Sequence, residues 1–148
     1  MHLRWEYVGL VLLGGTIGTA ARYLLSTLFP AWRGIPVGTF LINVAGAFAL
    51  GMLLEFLVRR GPDRGVRRVL RLLVGTGALG GFTTYSSFAV ESAGLLVDHE
   101  LWGALLYAAG TLAIGAIAST AGIMVAASIH GWRPTRRTFT RSRRGGSQ

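Results

Sequence analysis

Four long apolar stretches alternate with short polar connections along this chain. They cover about residues 7–29, 37–58, 70–97 and 101–129. Each has the roughly 20 predominantly apolar residues with which a helix crosses the ~30 Å hydrocarbon core of a bilayer. The first is interpreted as a span and not as a cleaved signal, because it is no short apolar region ending at a small-residue cleavage site. The pattern predicts an all-α membrane protein with four transmembrane helices.

Composition supports this interpretation. The chain has 148 residues, of which 51% are hydrophobic and 14% charged, and its mean hydropathy is +0.51. A typical soluble domain is about 25% charged. There is no cysteine, which excludes disulfides, thiolate metal sites and cysteine nucleophiles. We expect one channel-forming domain over residues 1–130, followed by a basic, disordered tail over 131–148.

The basic residues indicate an orientation. All fifteen are arginines, and thirteen lie at Arg4, within 59–71 or within 133–144. With four spans these three places share one side of the membrane, and the opposite side has only Arg33 and Arg22. The positive-inside rule therefore predicts a multi-pass protein of the cell membrane with both termini in the cytoplasm. A nucleic-acid binder would instead spread its arginines over a fold of mixed polarity.

The third stretch contains a segment unfavourable for a continuous helix. Residues 74–88 read VGTGALGGFTTYSSF, with four glycines and several hydroxyl residues at the expected depth of mid-membrane. Glycine costs about 1 kcal/mol in a helix interior. Irregular backbone at that depth requires protein or a polar cavity to satisfy it. We predict a helix broken around Gly75–Thr83, with free carbonyls for a small cation and free amides for an anion. The G-x-G-x-x-G match at Gly75 is rejected as a dinucleotide fingerprint, because no strand precedes it.

Few polar side chains lie inside the spans, and they fall in stripes. Thr39, Asn43 and Gly46 share one face of the second span. Two further stripes contain Thr84, Ser87 and Glu91 beside Tyr85 and Phe88, and then Tyr107, Thr111, Gly115 and Ser119. Such residues are most often packing contacts, but together in so apolar a chain they favour an anion pathway. For Arg22, snorkelling to the interface and attraction of anions into a vestibule both stay open. Glycines at contact spacing, at 14 and 18, 77 and 81, and 110 and 115, predict close helix packing.

Three segments resemble the Fluc (CrcB) fluoride channels, which are small four-span membrane proteins. The segments are GGTIGTAARY at 14–23, GTFLINVAG at 38–46 and GALGGFTTYSSF at 77–88. The resemblance covers nearly the whole hydrophobic part and excludes the tail. It implies an antiparallel, dual-topology dimer with two pores along the subunit interface and no enzymatic activity.

The resemblance also implies roles for individual residues. A structural Na⁺ at the dimer centre would be held by the backbone carbonyls of Gly80 and Thr83. Asn43 would donate a hydrogen bond to permeating fluoride, and Arg22 matches the first-span arginine of the family. Tyr85 and Phe88 would form the aromatic pore lining, although the first of these positions is normally Phe. Further pathway positions are hydroxyl-bearing: Ser86, Ser87, Tyr107 and Thr111.

The implied function is passive fluoride export. HF crosses a membrane as a neutral acid and ionises in the cytoplasm, and the inside-negative potential then drives the anion outward by about 2.3 kcal/mol per 100 mV. A proton-coupled multidrug exporter is the alternative of another class, but it needs a deep ionisable acid and only Glu91 lies deep. A subunit without transport is the third possibility. Because the arginine bias opposes two orientations, the partner is either a second copy or an oppositely oriented homologous subunit.

Overall fold

The computed structural model describes residues 4–29, 31–32, 36–97 and 100–129. The predicted basic tail, with Trp132, lies outside these residues. Arg33 also lies outside them, as do parts of the short connections at 30–36, after the first apolar stretch, and at 98–100, after the third. The statements below concern the described residues.

Three helices are long and apolar enough to cross a membrane. They are α1 (Trp5–Leu28), α2 (Val37–Arg59) and α6 (Leu101–Ile129). The predicted span at about 70–97 is divided among shorter elements. These are α3 (Val66–Leu70), a π-helical segment (Arg71–Leu79), α4 (Gly80–Phe82) and α5 (Tyr85–Val97).

Glycines allow the helices to approach closely. α1 packs along the π-helical segment and α4, whereas α2 packs along α6. A Cβ on Gly18 would lie 1.9 Å from the Ala78 carbonyl oxygen, and one on Gly122 would lie 2.1 Å from that of Phe48. Gly14, Gly77 and Gly81 make similarly tight contacts, as their spacing predicts. Gly110 and Gly115 do not, because nothing lies within 4 Å of a Cβ built on either.

The outer surface is apolar. Large side chains point away from the bundle on every long helix, with Leu12 66% exposed, Val58 72%, Leu106 73% and Ile117 67%. A soluble monomer rarely exposes so much contiguous apolar surface. The distribution is that of a protein solvated by lipid chains.

The helical path in the third stretch ends between α4 and α5. Thr83 is extended, with φ −76° and ψ 156°, and α5 begins two residues later at Tyr85. We expected irregular backbone over about Gly75–Thr83, but residues 75–82 are helical. Gly77 and Gly81 serve the close contact with α1. The non-helical part is confined to Thr83 and Thr84.

Candidate functional site

The Asn43 side chain satisfies the backbone where the helical path ends. Its Nδ2 donates to the Thr84 carbonyl at 3.0 Å, and its Oδ1 accepts from the Thr84 N–H at 2.9 Å. One amide thus supplies the acceptor that the Thr84 N–H lacks at the end of α4 and donates a hydrogen bond to the Thr84 carbonyl as well. Thr84 is only 8% exposed, so the two backbone groups have little access to water.

The Thr84 side chain begins the next helix. Its Oγ1 accepts from the Ser87 N–H at 3.1 Å, which is the hydrogen bond of an N-cap residue. The same hydroxyl lies 3.2 Å from the Ser86 and Ser87 hydroxyl oxygens. Three hydroxyls therefore converge at the N-terminus of α5, where helix dipoles favour negative charge.

Gly46 makes room for this arrangement. It lies one turn beyond Asn43 on α2, and a Cβ there would lie 2.2 Å from Thr83 Cγ2. The face of α2 predicted from sequence, with Thr39, Asn43 and Gly46, is thus the face turned toward the interruption.

Two backbone carbonyls are released by these side-chain contacts. In a continuous helix the Thr84 N–H would donate to the Gly80 carbonyl, but it donates to Asn43 Oδ1. The Ser87 N–H would donate to the Thr83 carbonyl, but it donates to Thr84 Oγ1. Carbonyl oxygens freed from a helix are suitable ligands for a small hard cation. Within the described residues no group of three or more His, Asp or Glu side chains could hold a metal ion.

A polar cavity of about 290 Å³ opens on one side of the interruption. Arg22, in the second half of α1, lines it together with Thr84 and Ser87. The remaining lining residues are Thr19, Tyr23, Ser26, Thr39 and Ile42. Arg22 therefore borders the same cavity as Thr84 and Ser87, and its positive charge favours anions there.

An aromatic row lies on the other side. The ring centroids of Tyr85 and Phe88 are 6.0 Å apart, and those of Phe88 and Tyr107 are 5.7 Å apart, all tilted. Tilted rings present edges, which carry partial positive charge. Tyr85 is 80% exposed and lines a cavity of about 410 Å³ together with Asn43, Phe88 and Thr111. The Thr111 hydroxyl donates to the carbonyl of Tyr107 in its own helix at 2.6 Å.

Glu91 joins three helices and was not among the predicted site residues. The Thr39 hydroxyl donates to Glu91 Oε1 at 2.6 Å, and the Tyr107 hydroxyl donates to Oε2 at 2.8 Å. Both carboxylate oxygens therefore have a donor, as a charge at membrane depth requires. The sequence signal was Glu91 itself, the one acidic residue deep in a span, but neither of its partners could be identified by spacing.

The predicted residues thus form two groups around one interruption. Arg22, Ser87 and Thr84 border the polar cavity, whereas Tyr85, Phe88 and Tyr107 form the aromatic row. Asn43 lies between these groups, and the Gly80 and Thr83 carbonyls belong to the interruption itself.

Comparisons with known proteins give one consistent result. The family model described as "CrcB-like protein, Camphor Resistance (CrcB)" matches residues 9–123. The chain is 57% identical over 129 residues to "Fluoride-specific ion channel FluC 2" of Leifsonia xyli, covering 87% of this chain and 89% of that protein.

Two further relatives have related names. "Fluoride-specific ion channel FluC 1" of Cutibacterium acnes is 50% identical over 112 residues, covering 74% of this chain and 78% of its own. "Fluoride-specific ion channel FluC" of Caulobacter vibrioides is 38% identical over 126 residues, covering 81% and 94%.

Proposed function

Since the chain belongs to the CrcB family, whose members are channels and not enzymes, we propose that it is a fluoride-specific ion channel exporting fluoride passively from the cytoplasm. The observation that carries the proposal is the pairing of Asn43 with Thr84 between the polar cavity and the aromatic row. Several weak hydrogen-bond donors, placed one after another along the pathway, can replace the hydration water of a small anion without trapping it.

The steps of permeation follow from the order of the groups. Arg22 raises the local anion concentration in the polar cavity. The hydroxyls of Thr84, Ser86 and Ser87 then supply donors at the N-terminus of α5. Asn43 donates beside them, and the ring edges of Tyr85 and Phe88 carry the ion past the apolar part. Tyr107 and Thr111 are assigned to the same track, where their hydroxyls donate to Glu91 and to the Tyr107 carbonyl and would line the pathway without donating to the ion. The driving force is the membrane potential, so no nucleotide or proton gradient is consumed.

Halide flux from proteoliposomes made with the purified chain alone tests the function. Fluoride efflux should be uncoupled from any pH gradient and should exceed chloride efflux by orders of magnitude. Exchange that occurs only with a pH gradient would instead support a proton-coupled carrier. The absence of any flux would support a role without transport by the chain alone.

A structural Na⁺ suits the released carbonyls of Gly80 and Thr83. Both oxygens lie where the helix is interrupted. The N–H groups that would bond them in a continuous helix donate instead to the side-chain oxygens of Asn43 and Thr84. We assign these two carbonyls to the ion. Bound there, it would supply a fixed positive charge that ties α4 to α5.

The pathway requires a second subunit in an antiparallel arrangement. Tyr85 projects from the bundle at 80% exposure, and Gly110 and Gly115 have open space beside them. An antiparallel partner would cover the 410 Å³ cavity and close two symmetric pathways.

Orientation decides between a second copy and a homologous partner. Thirteen arginines favour one insertion, with both termini in the cytoplasm. We therefore expect the chain to pair with an oppositely biased homologous subunit and to form homodimers poorly in its native membrane. A cysteine introduced into the 131–148 tail should be labelled from the cytoplasmic side only. Equal labelling from both sides in cells without a second homologous gene would contradict this.

Glu91 is proposed to position the hydroxyls of Thr39 and Tyr107. Glu91→Gln leaves an amide nitrogen that cannot accept the second hydrogen bond, so one donor loses its partner at about 1–3 kcal/mol. We expect fluoride flux to fall about tenfold or more, with a smaller decrease for Tyr107→Phe. Ser92→Ala on the same helix is the control, because its hydroxyl bonds only the Phe88 carbonyl of its own turn. Unchanged fluoride flux in Glu91→Gln would show that conduction does not depend on Glu91 positioning these hydroxyls.

A further inference from the structure

The connection between α2 and α3 forms a strongly basic surface at one end of the bundle. Among the described residues this end has seven arginines and three carboxylates, a formal charge of +4. The arginines are Arg4, Arg59, Arg60, Arg64, Arg67, Arg68 and Arg71, and the carboxylates are Glu6, Glu55 and Asp63. The Tyr7 ring lies between the start of α1 and α3. The guanidinium carbons of Arg4 and Arg68 lie 5.1 and 5.8 Å from its centroid.

The carboxylates neutralise only some of these arginines. Asp63 pairs with Arg68 at 3.6 Å and with Arg71 at 2.8 Å, and Arg71 holds its pKa below the usual value. Glu55 pairs with Arg59, and Glu6 with Arg4. In the described part of the chain, Arg60, Arg64 and Arg67 have no carboxylate within ion-pair distance.

The loop holds Arg67 in a defined position. Gly61 and Gly65 have positive φ values of 118° and 55°, a conformation that other residues rarely adopt. This conformation turns the Pro62 carbonyl toward α3, where it accepts from Arg67 Nε at 2.8 Å. A guanidinium has five N–H donors, so four of those on Arg67 are left for another acceptor.

Beside Arg67 lies a cavity with two kinds of wall. It measures about 150 Å³ and is lined by Gly61, Asp63, Arg67 and Arg71 on one side and by Leu54, Leu57 and Val58 on the other. The apolar wall is the last turns of α2, where Val58 is 72% exposed. It continues into the lipid-facing surface of that helix.

We propose that this cavity binds an anionic phospholipid, with the lipid phosphate on Arg67 and an acyl chain along Leu54 and Val58. Arg60 and Arg64 add attraction at the rim. Basic pockets at the ends of transmembrane helices suit such headgroups, and a planar guanidinium matches the phosphate oxygens. The apolar wall favours a lipid over a soluble phosphate, because a soluble phosphate has no apolar chain to pack against it. The inference is independent of what the channel conducts.

Lipid binding to the full chain in detergent, measured by native mass spectrometry, tests the proposal. Phosphatidylglycerol should bind in preference to phosphatidylcholine. Arg67→Gln should lower the affinity for phosphatidylglycerol about fivefold, equivalent to about 1 kcal/mol per basic residue near an anionic headgroup. Arg59→Gln is the matched control, because it removes the same charge from an arginine already paired with Glu55. The affinity of that variant for phosphatidylglycerol should stay within twofold of that of the unsubstituted chain.

Three results would overturn it. Equal weakening by Arg67→Gln and Arg59→Gln would mean diffuse attraction without a site. Equal binding of phosphatidylcholine would mean an apolar contact only. Displacement of the lipid by millimolar inorganic phosphate would assign the cavity to a soluble anion. Thermal unfolding of each variant without lipid shows that a loss of binding is not a loss of folding.

Discussion

Asn43→Leu is expected to abolish fluoride flux, with a loss of 100-fold or more. Leucine has the same branching but neither donates to the Thr84 carbonyl nor accepts from the Thr84 N–H. A buried backbone N–H left without an acceptor costs about 1–3 kcal/mol. The segment that presents three hydroxyls to the pathway would therefore lose its position. Fluoride efflux from proteoliposomes measures the effect.

Asn43→Asp separates the positioning of Thr84 from donation to fluoride. The carboxylate retains an acceptor for the Thr84 N–H but has no donor, and it adds negative charge to an anion pathway. We expect a folded protein, by size-exclusion profile and thermal unfolding, with flux as low as in Asn43→Leu. Flux within twofold of the unsubstituted chain in either variant would contradict the role of Asn43.

Gly18→Ala is expected to destabilise the folded chain strongly. The new Cβ would lie 1.9 Å from the Ala78 carbonyl oxygen and 2.9 Å from the Phe82 nitrogen. Both contacts are backbone atoms of helical segments, so neither can rotate away. α1 must separate from the segment that leads into the interruption. Overpacking of this kind costs about 1–3 kcal/mol.

Gly15→Ala is the matched control, on the same helix and three residues away. Its nearest contact would be the Gly77 carbonyl oxygen at 3.9 Å, an ordinary van der Waals distance. Since alanine favours a helix over glycine by about 1 kcal/mol, we expect this variant to unfold at the same or a higher temperature. Thermal unfolding in detergent compares the two. A Gly18→Ala variant as stable as Gly15→Ala would mean that the close contact of α1 is not required.

The interruption shows how far composition predicts local structure. The sequence pointed to the segment around residues 74–88, because glycines and hydroxyls accumulate there. It could not separate glycines that end a helix from glycines that let two helices touch. Spacing predicted close packing at Gly77 and Gly81 and equally at Gly110 and Gly115, and only the packed helices show that the first pair makes the contact and the second does not. Asn43, 41 residues from Thr84 along the chain, decides where the helix ends.

The proposed pathway residues divide in the same way. Asn43, Tyr85, Phe88 and Tyr107 were identified because a polar or aromatic pattern in an apolar helix is visible in one dimension. Glu91 was identified as a deep acid and as a member of the stripe with Thr84 and Ser87, but without partners. Its bonds to Thr39 and Tyr107 cross between three helices, and no spacing rule relates residues on different elements.

The membrane-spanning character of the long helices, the family and the class of residues at the site could all be predicted from the order of residues along the chain. Hydropathy and motif content are properties of short contiguous segments, so folding does not alter them. The tertiary structure decided which carbonyls are released, which glycines are contacts and which hydroxyls meet the carboxylate. Each of these depends on a hydrogen bond or a steric contact between helices far apart in the chain, and such pairings exist only once the helices have packed.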